Sequence, residues 1–360
     1  MTKYIGALLL IWASLQMAPR ADASPQRQQA DAAGKQSGLP WAYGFAASAP
    51  PEPAAPPSVV AAATPAATAA QNESGEDTQS IRHVPGSAGA FTLKEVDNTF
   101  GPADWFPGDH PAMPEVVAQG RKPAVNACGF CHYPNGKGRP NNAGPAGLSA
   151  DYILQQLQDF RDGARTSWDK RKRNTTQMIN IAKGLTDEEA RAAAEYFASV
   201  KWTPWIKVVE TDTVPKTHYV GGGGGLCLPL EGAETGMEPL GMRIVETPQD
   251  VEQTEPLRNP RAGFIAYVPL GSLKKGEDLV VRGGAGKTVA CAACHGEGLK
   301  GHETFPSLAG RSPSYLARQL YDFQHFTRVG PGAQLMQPVV QKLSEEDILD
   351  ITAYIASLQP

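Results

Sequence analysis

No stretch of the 360 residues stays apolar for the roughly 20 positions that a bilayer-spanning helix needs. A basic excess is missing too: 33 Lys and Arg stand against 37 Asp and Glu, for a formal net charge of −4. With no domain-wide basic surface, nucleic acid is not expected as a partner. No acid/base constellation of the kind a catalytic site needs stands out. Cysteine is scarce at five and histidine at seven, so where those few residues fall is informative.

The longest apolar run, Ile5 to Leu15, is of signal-peptide length. Lys3 precedes it as the charged end, and Ala21-Asp22-Ala23 follows as an A-x-A cleavage site. Residues 1–23 are therefore expected to be a signal peptide, cut before Ser24, which places the mature chain in the periplasm without a transmembrane segment. Residues 24–84 are rich in Ala, Pro, Gln and Ser, with Ala-Pro-Pro and Ala-Ala-Thr-Pro repeats, and read as a disordered low-complexity tether.

Four of the five cysteines lie in two copies of one motif, Cys128-Gly129-Phe130-Cys131-His132 and Cys291-Ala292-Ala293-Cys294-His295. C-x-x-C-H is the attachment pattern of c-type haem: each thiol adds to a vinyl group of the porphyrin, and the adjoining His ligates the iron. A zinc ribbon would need its two cysteine pairs within about 20 residues. A thioredoxin-like dithiol would need a βαβ context, and neither pair has one. Two motifs predict two covalently attached haem c groups, bound through Cys128, Cys131, Cys291 and Cys294, with His132 and His295 on iron.

The motifs open a longer internal repeat. Tyr152 follows Cys128 at the interval at which Tyr315 follows Cys291, and Arg165 follows Tyr152 as Arg328 follows Tyr315. Between them Gln156-Leu157 and Asp159-Phe160 match Gln319-Leu320 and Asp322-Phe323. Each block predicts a helix, capped by Ser149 or Ser312, with an apolar stripe at Ile153, Leu157, Phe160 or Leu316, Leu320, Phe323 facing haem or the last helix. Met178 precedes Leu185 and Tyr196 at the intervals at which Met336 precedes Leu343 and Tyr354. Both copies then start a terminal helix with a capping box, Thr186 to Glu189 and Ser344 to Asp347. A methionine is usually core filler, but these two occupy equivalent places and are the predicted distal ligands. The alternative, a bis-His site using His302 or His325, has no counterpart in the first unit. Cys227 is left over and reads as a bystander thiol.

On these residues the chain resembles the periplasmic diheme class I cytochromes c, in which two cytochrome c folds are joined in tandem. The resemblance covers about 124–200 and 289–359, through the Cys-x-x-Cys-His motifs, Tyr315-Leu-Ala-Arg-Gln-Leu-Tyr-Asp-Phe323 and the Met-x6-Leu-Ser-x-Glu-Asp run from Met336. It implies a mainly α fold with one His/Met haem per domain. It also implies an electron carrier, rather than an enzyme, between a dehydrogenase or quinol-oxidising complex and a terminal oxidase or reductase. The rival classes are a diheme redox enzyme, of peroxidase or thiosulfate dehydrogenase type, and the cytochrome subunit of a dehydrogenase complex. In this family a proline carbonyl commonly accepts a hydrogen bond from the proximal His. Pro306 suits His295, while Ala143 and Pro145 compete for His132.

The expected domains are 85–203, a cytochrome domain with an N-terminal arm around Trp105 and Phe106; 204–272, an intervening segment; and 273–360, a second cytochrome domain. The intervening segment is longer than a linker requires. Its runs Trp205–Val209, Met242–Val245 and Gly263–Val268 predict a few strands. Five extra residues in the first unit fall around the basic run Lys170-Arg171-Lys172-Arg173, which is either a solvated loop or a patch that steers an acidic redox partner.

Overall fold

The computed structural model describes residues 38–46, 78–221 and 225–360. The expected signal peptide and most of the expected tether lie outside the described residues. Among the described residues no helix is long and apolar enough to cross a membrane.

Within the stretch whose composition reads as a tether, Pro40–Tyr43 (α1) forms one buried helical turn. Tyr43 is fully buried, and its hydroxyl donates to Asp322 Oδ1 at 2.7 Å. A tether is therefore the wrong description for this part. The Ala/Pro average hides Leu39-Pro40-Trp41-Ala42-Tyr43, which has enough apolar surface to enter a core.

The first unit is built on Cys128–His132 (α2), Ala150–Arg161 (α3), Arg173–Gly184 (α4) and Asp187–Ser199 (α5). Ser149 caps α3 by accepting from the Tyr152 amide at 3.3 Å, and Thr186 with Glu189 closes a capping box on α5. The face of α5 that meets α3 carries Ala190, Ala193 and Ala194, small side chains that let the two helices approach closely.

The intervening segment follows as Ile206–Glu210 (β1), Thr213–Pro215 (β2), Thr217–Val220 (β3), Leu226–Pro229 (β4), Met237–Pro239 (β5), Val245–Pro248 (β6) and Phe264–Val268 (β7). β7 is the centre of a three-stranded sheet, parallel to β1 in the register Ile206↔Phe264 and antiparallel to β6. β2 pairs with β5 and β3 with β4. The first and third predicted strands are present. The second begins three residues later than the run from Met242, because Arg243 is tied back to the Leu240 carbonyl at 2.9 Å and Met242 is exposed. Ile206 packs against the cores of both cytochrome units, so the sheet bridges them. The N-terminal arm also leans on this segment: Trp105 is buried with Leu257 and donates to its carbonyl at 2.7 Å.

The second unit comprises Ser272–Arg282 (α6), Ala292–His295 (α7), Pro313–Gln324 (α8), Ala333–Val340 (α9) and Glu345–Ser357 (α10). α8 begins with Pro at its first position and Ser312 as cap, while Ser344 and Asp347 form the capping box of α10. α6 crosses α10 at Gly276, where a Cβ atom would lie 2.0 Å from the Asp350 carbonyl oxygen; only glycine permits that approach.

Candidate haem sites

Both motifs sit on a single helical turn followed by a loop that folds back over it in the same way. Gly138 N–H donates to the His132 carbonyl at 2.9 Å, and Gly301 N–H to that of His295 at 2.8 Å. Each loop then brings a carbonyl to the imidazole. His132 Nδ1–H donates to Ala143 O and His295 Nδ1–H to Pro306 O, both at 2.8 Å. Ala143 rather than Pro145 thus serves His132, since the shared loop geometry fixes the position and needs only a backbone oxygen. This bond fixes the tautomer and leaves Nε2 as the lone-pair nitrogen of each ring. Burial holds both imidazoles below the ordinary histidine range, opposed by the carbonyl bond, so both stay neutral. Burial also pushes the Cys128 thiol up to about 12 and that of Cys291 to about 11.

Each His opens onto a cavity. The first, of about 170 Å³, is lined by Cys128, Cys131 and His132 from α2, by Ile153, Leu157 and Phe160 from α3, and by Met178 from α4. The second, of about 420 Å³, is lined by Cys291, Cys294, His295, Leu316, Leu320, Phe323 and Met336. The structure thus gathers all eight residues singled out from the motifs and the methionine register, four to a cavity. The apolar stripes of α3 and α8 line the same spaces. Cys227, His302 and His325 line neither: Cys227 is buried on β4, His302 sits in the loop bridged to Phe305, and His325 stacks on Tyr321 at 4.0 Å.

The two cavities share a wall of Leu148, Tyr152, Gln156, Tyr315 and Gln319. Two buried guanidiniums are threaded through it with two-fold reciprocity. Arg165 donates to Gln156 Oε1 at 2.9 Å, Gln319 Oε1 at 2.9 Å and Tyr315 Oη at 3.1 Å. Arg328 donates to Gln319 Oε1 at 3.1 Å, Gln156 Oε1 at 2.6 Å and Tyr152 Oη at 3.2 Å. The repeat register already aligned these pairs; that each arginine would reach across to the other unit was missed, because alignment reports equivalence and not contact.

Arg165, Arg311, Arg318 and Arg328 are all buried, and among the described residues none makes an ion pair with a carboxylate. Buried cations need counter-charge. A porphyrin brings propionate carboxylates of its own, so the donor set, the apolar cavity walls and these four guanidiniums without an ion-pair partner fit haem.

The basic run is not a solvent-facing patch. Lys172 is buried, Arg171 is held by Asp169 at 2.7 Å and lies over the Phe45 ring, and only Lys170 and Arg173 are exposed. Trp168 just before it packs against Tyr43 and Tyr321. Trp168, Arg171 and Lys172 of this stretch are thus taken up in packing, while Lys170 and Arg173 stay at the surface.

A thiol pair beside an imidazole pinned through Nδ1, with a thioether lining the same apolar cavity, is the arrangement of a c-type cytochrome, and its repetition that of a diheme one. The family model for cytochrome c matches residues 117–201 and again 280–359. The chain is 34% identical over 261 residues to cytochrome c4 of Thiocapsa roseopersicina, covering 70% of this chain and 98% of that protein. It is 29% identical over 252 residues to cytochrome c4 of Pseudomonas aeruginosa, covering 69% and 90%. A third relative, the thiosulfate dehydrogenase electron acceptor of Stutzerimonas stutzeri, is 25% identical over 242 residues, covering 66% and 82%. The chain belongs to the cytochrome c family, as a diheme class I member with two tandem domains, two covalently attached haem c groups and electron transfer as its function.

Proposed function

We propose that this protein is a periplasmic one-electron carrier in which Cys128 and Cys131 hold one haem and Cys291 and Cys294 the other. His132 and Met178 ligate the first iron, His295 and Met336 the second. Domain boundaries at 85–203, 204–272 and 273–360 serve this reading. The observation that carries it is that each cavity sets a pinned, neutral His and a Met against one apolar space. Bound haem supplies one reversible electron per iron. The protein's part is to orient the ring nitrogen through Ala143 O or Pro306 O, and to present a soft, neutral thioether that favours the reduced state and so raises the potential. Apolar side chains on α3 and α8 limit water at the site. That the two cavities share Tyr152, Gln156, Tyr315 and Gln319 in their lining supports passage of an electron from one to the other.

Relatives named as electron acceptors of thiosulfate dehydrogenase support a periplasmic dehydrogenase as donor. A quinol-oxidising complex is the other donor class, and a terminal oxidase or reductase the acceptor. The enzyme reading is weakened because Cys227, His302 and His325, the groups it would use, lie outside both cavities. The test is the near-infrared sulfur-to-iron charge-transfer band of the oxidised protein. Two-haem intensity, halved in Met178→Ala and in Met336→Ala, supports the carrier; a band of one-haem intensity in the wild type overturns it. Export is tested separately, by N-terminal sequencing of protein from the periplasmic fraction, where a start at Ser24 is expected.

A further inference from the structure

We infer that Glu246, on the intervening sheet, is a proton-binding site coupled to the redox state of the first unit. Glu246 lies on β6 and is buried. Its Oε2 takes every donor offered: Ser312 Oγ at 2.9 Å, the Ser314 amide at 3.0 Å and Ser314 Oγ. Its Oε1 is buried and has no partner, and neither has the buried Oδ1 of Asn141. Both residues line one small cavity of about 20 Å³, room for a single water. Two orphaned acceptors on residues that line one water-sized space suit a carboxyl group with an exchangeable proton. In the protonated state Oε1–H donates, directly or through that water, towards Asn141; in the ionised state water donates to both.

The same cavity adjoins the first haem site. Asn141, Lys172 and Arg318 line both spaces and form the wall between them. The charged and titratable groups around Glu246 are Arg318 from α8, Lys172 from the loop before α4, and Tyr219 and Cys227 from the β3–β4 hairpin, with Arg243 behind that hairpin. The strand neighbour on β7 is Ala266, which brings no charge. α1 contributes Trp41 and Ala42 to the cavity; its Tyr43 pairs with Asp322 beyond Arg318. Arg318 thus favours the carboxylate while the adjoining site carries its oxidised charge, whereas burial pushes the Lys172 ammonium well below its ordinary range. When the first unit accepts one electron from its one-electron donor, it loses one positive charge, and Glu246 takes one proton from hydronium in solvent: the carboxyl O–H bond forms as a hydronium O–H bond breaks and leaves water. Burial raises the Glu246 carboxyl above its ordinary range against the pull of the serine donors and Arg318, in keeping with protonation at moderate pH.

This rests on the first haem being held at Cys128, Cys131 and His132, and the test separates the two. Redox titrations at a series of pH values, with each haem followed by its own methyl resonances in NMR, report both potentials, while the optical spectrum of the same samples reports ligation. The potential of the first haem is expected to fall with rising pH, with a slope approaching tenfold in the redox equilibrium per pH unit, about 59 mV. That slope is lost in Glu246→Gln, which keeps an acceptor for Ser312 and Ser314. Ser314→Ala, which removes one hydroxyl donor to the carboxylate, moves the sloping range to higher pH. In the wild type, the reduced-minus-oxidised infrared spectrum gains the carbonyl stretch of a protonated carboxyl, shifted in D2O. A pH-independent first potential, or a slope and infrared band that survive in Glu246→Gln, overturns the inference and assigns any proton to another group.

Discussion

Replacing Arg165 by Met tests whether the wall between the two sites is held together by its buried cations. Met is of similar length and apolar, so the change removes charge and hydrogen bonds while filling most of the space. Three bonds disappear, to Gln156, Gln319 and Tyr315. The two glutamine oxygens remain served by Arg328, so only the Tyr315 hydroxyl loses its charged donor outright. A buried group left without its partner costs about 1–3 kcal/mol, and weakening two shared bonds adds about 0.5–1.5 kcal/mol each. The expected destabilisation is about 3 kcal/mol, read from guanidinium-induced unfolding of the holoprotein by far-UV circular dichroism and by the Soret band. Because Arg165 and Arg328 share both glutamines, the double change to Met should be non-additive, with a coupling of about 1 kcal/mol or more. The sign is decisive. If nothing anionic neutralised the two guanidiniums, removing one of two neighbouring buried like charges would stabilise the fold. A stabilised variant, or one changed by less than about 0.5 kcal/mol, would refute the reasoning.

Gly276→Ala should cost about 1–3 kcal/mol in thermal unfolding, because its new methyl meets the Asp350 carbonyl on α10. Ser344→Ala removes the cap of α10 and should lower stability by about 1 kcal/mol in the same measurement, with haem content unchanged. Tyr43→Ala should cost about 3–5 kcal/mol, since a fully buried ring and its bond to Asp322 are lost from the second-unit core, and truncation before residue 47 should have at least that effect. The raised Glu246 carboxyl contributes stability that is full below the ordinary glutamate value of 4.5 and lost as pH rises through its folded value. Denaturant titrations at about pH 5 and about pH 8 should therefore show Glu246→Gln gaining on the wild type at the higher pH. An equal difference at both would contradict that assignment.

Legibility in the sequence followed the chemistry. Covalent attachment dictates Cys-x-x-Cys-His, and repetition of the whole unit made Met178 and Met336 visible by register although neither carries a motif of its own. The long helices announced themselves through caps and apolar stripes because Ser149, Ser312, Thr186 and Ser344 act locally. What failed depended on partners distant in the chain. Composition around Trp41 and Tyr43 could not show that Asp322 and Trp168 wait for them. The charges at Arg171 and Lys172 looked solvated because a sequence does not show that Asp169 and Phe45 enclose the first and burial the second. The carbonyl for His132 was undecided between Ala143 and Pro145 because any backbone oxygen suffices, and the loop decides which arrives.

The crossed arginines have a consequence for symmetry. Arg165 reaches Gln319 while Arg328 reaches Gln156, and the backbones of the two arginines bridge each other directly. Such mutual exchange of one contact is the signature of an isologous, two-fold interface between identical chains. Here the same arrangement joins two repeats of one polypeptide, each using the same surface towards the other. The stretch joining the halves adds a second tie, since Ile206 packs against both cores.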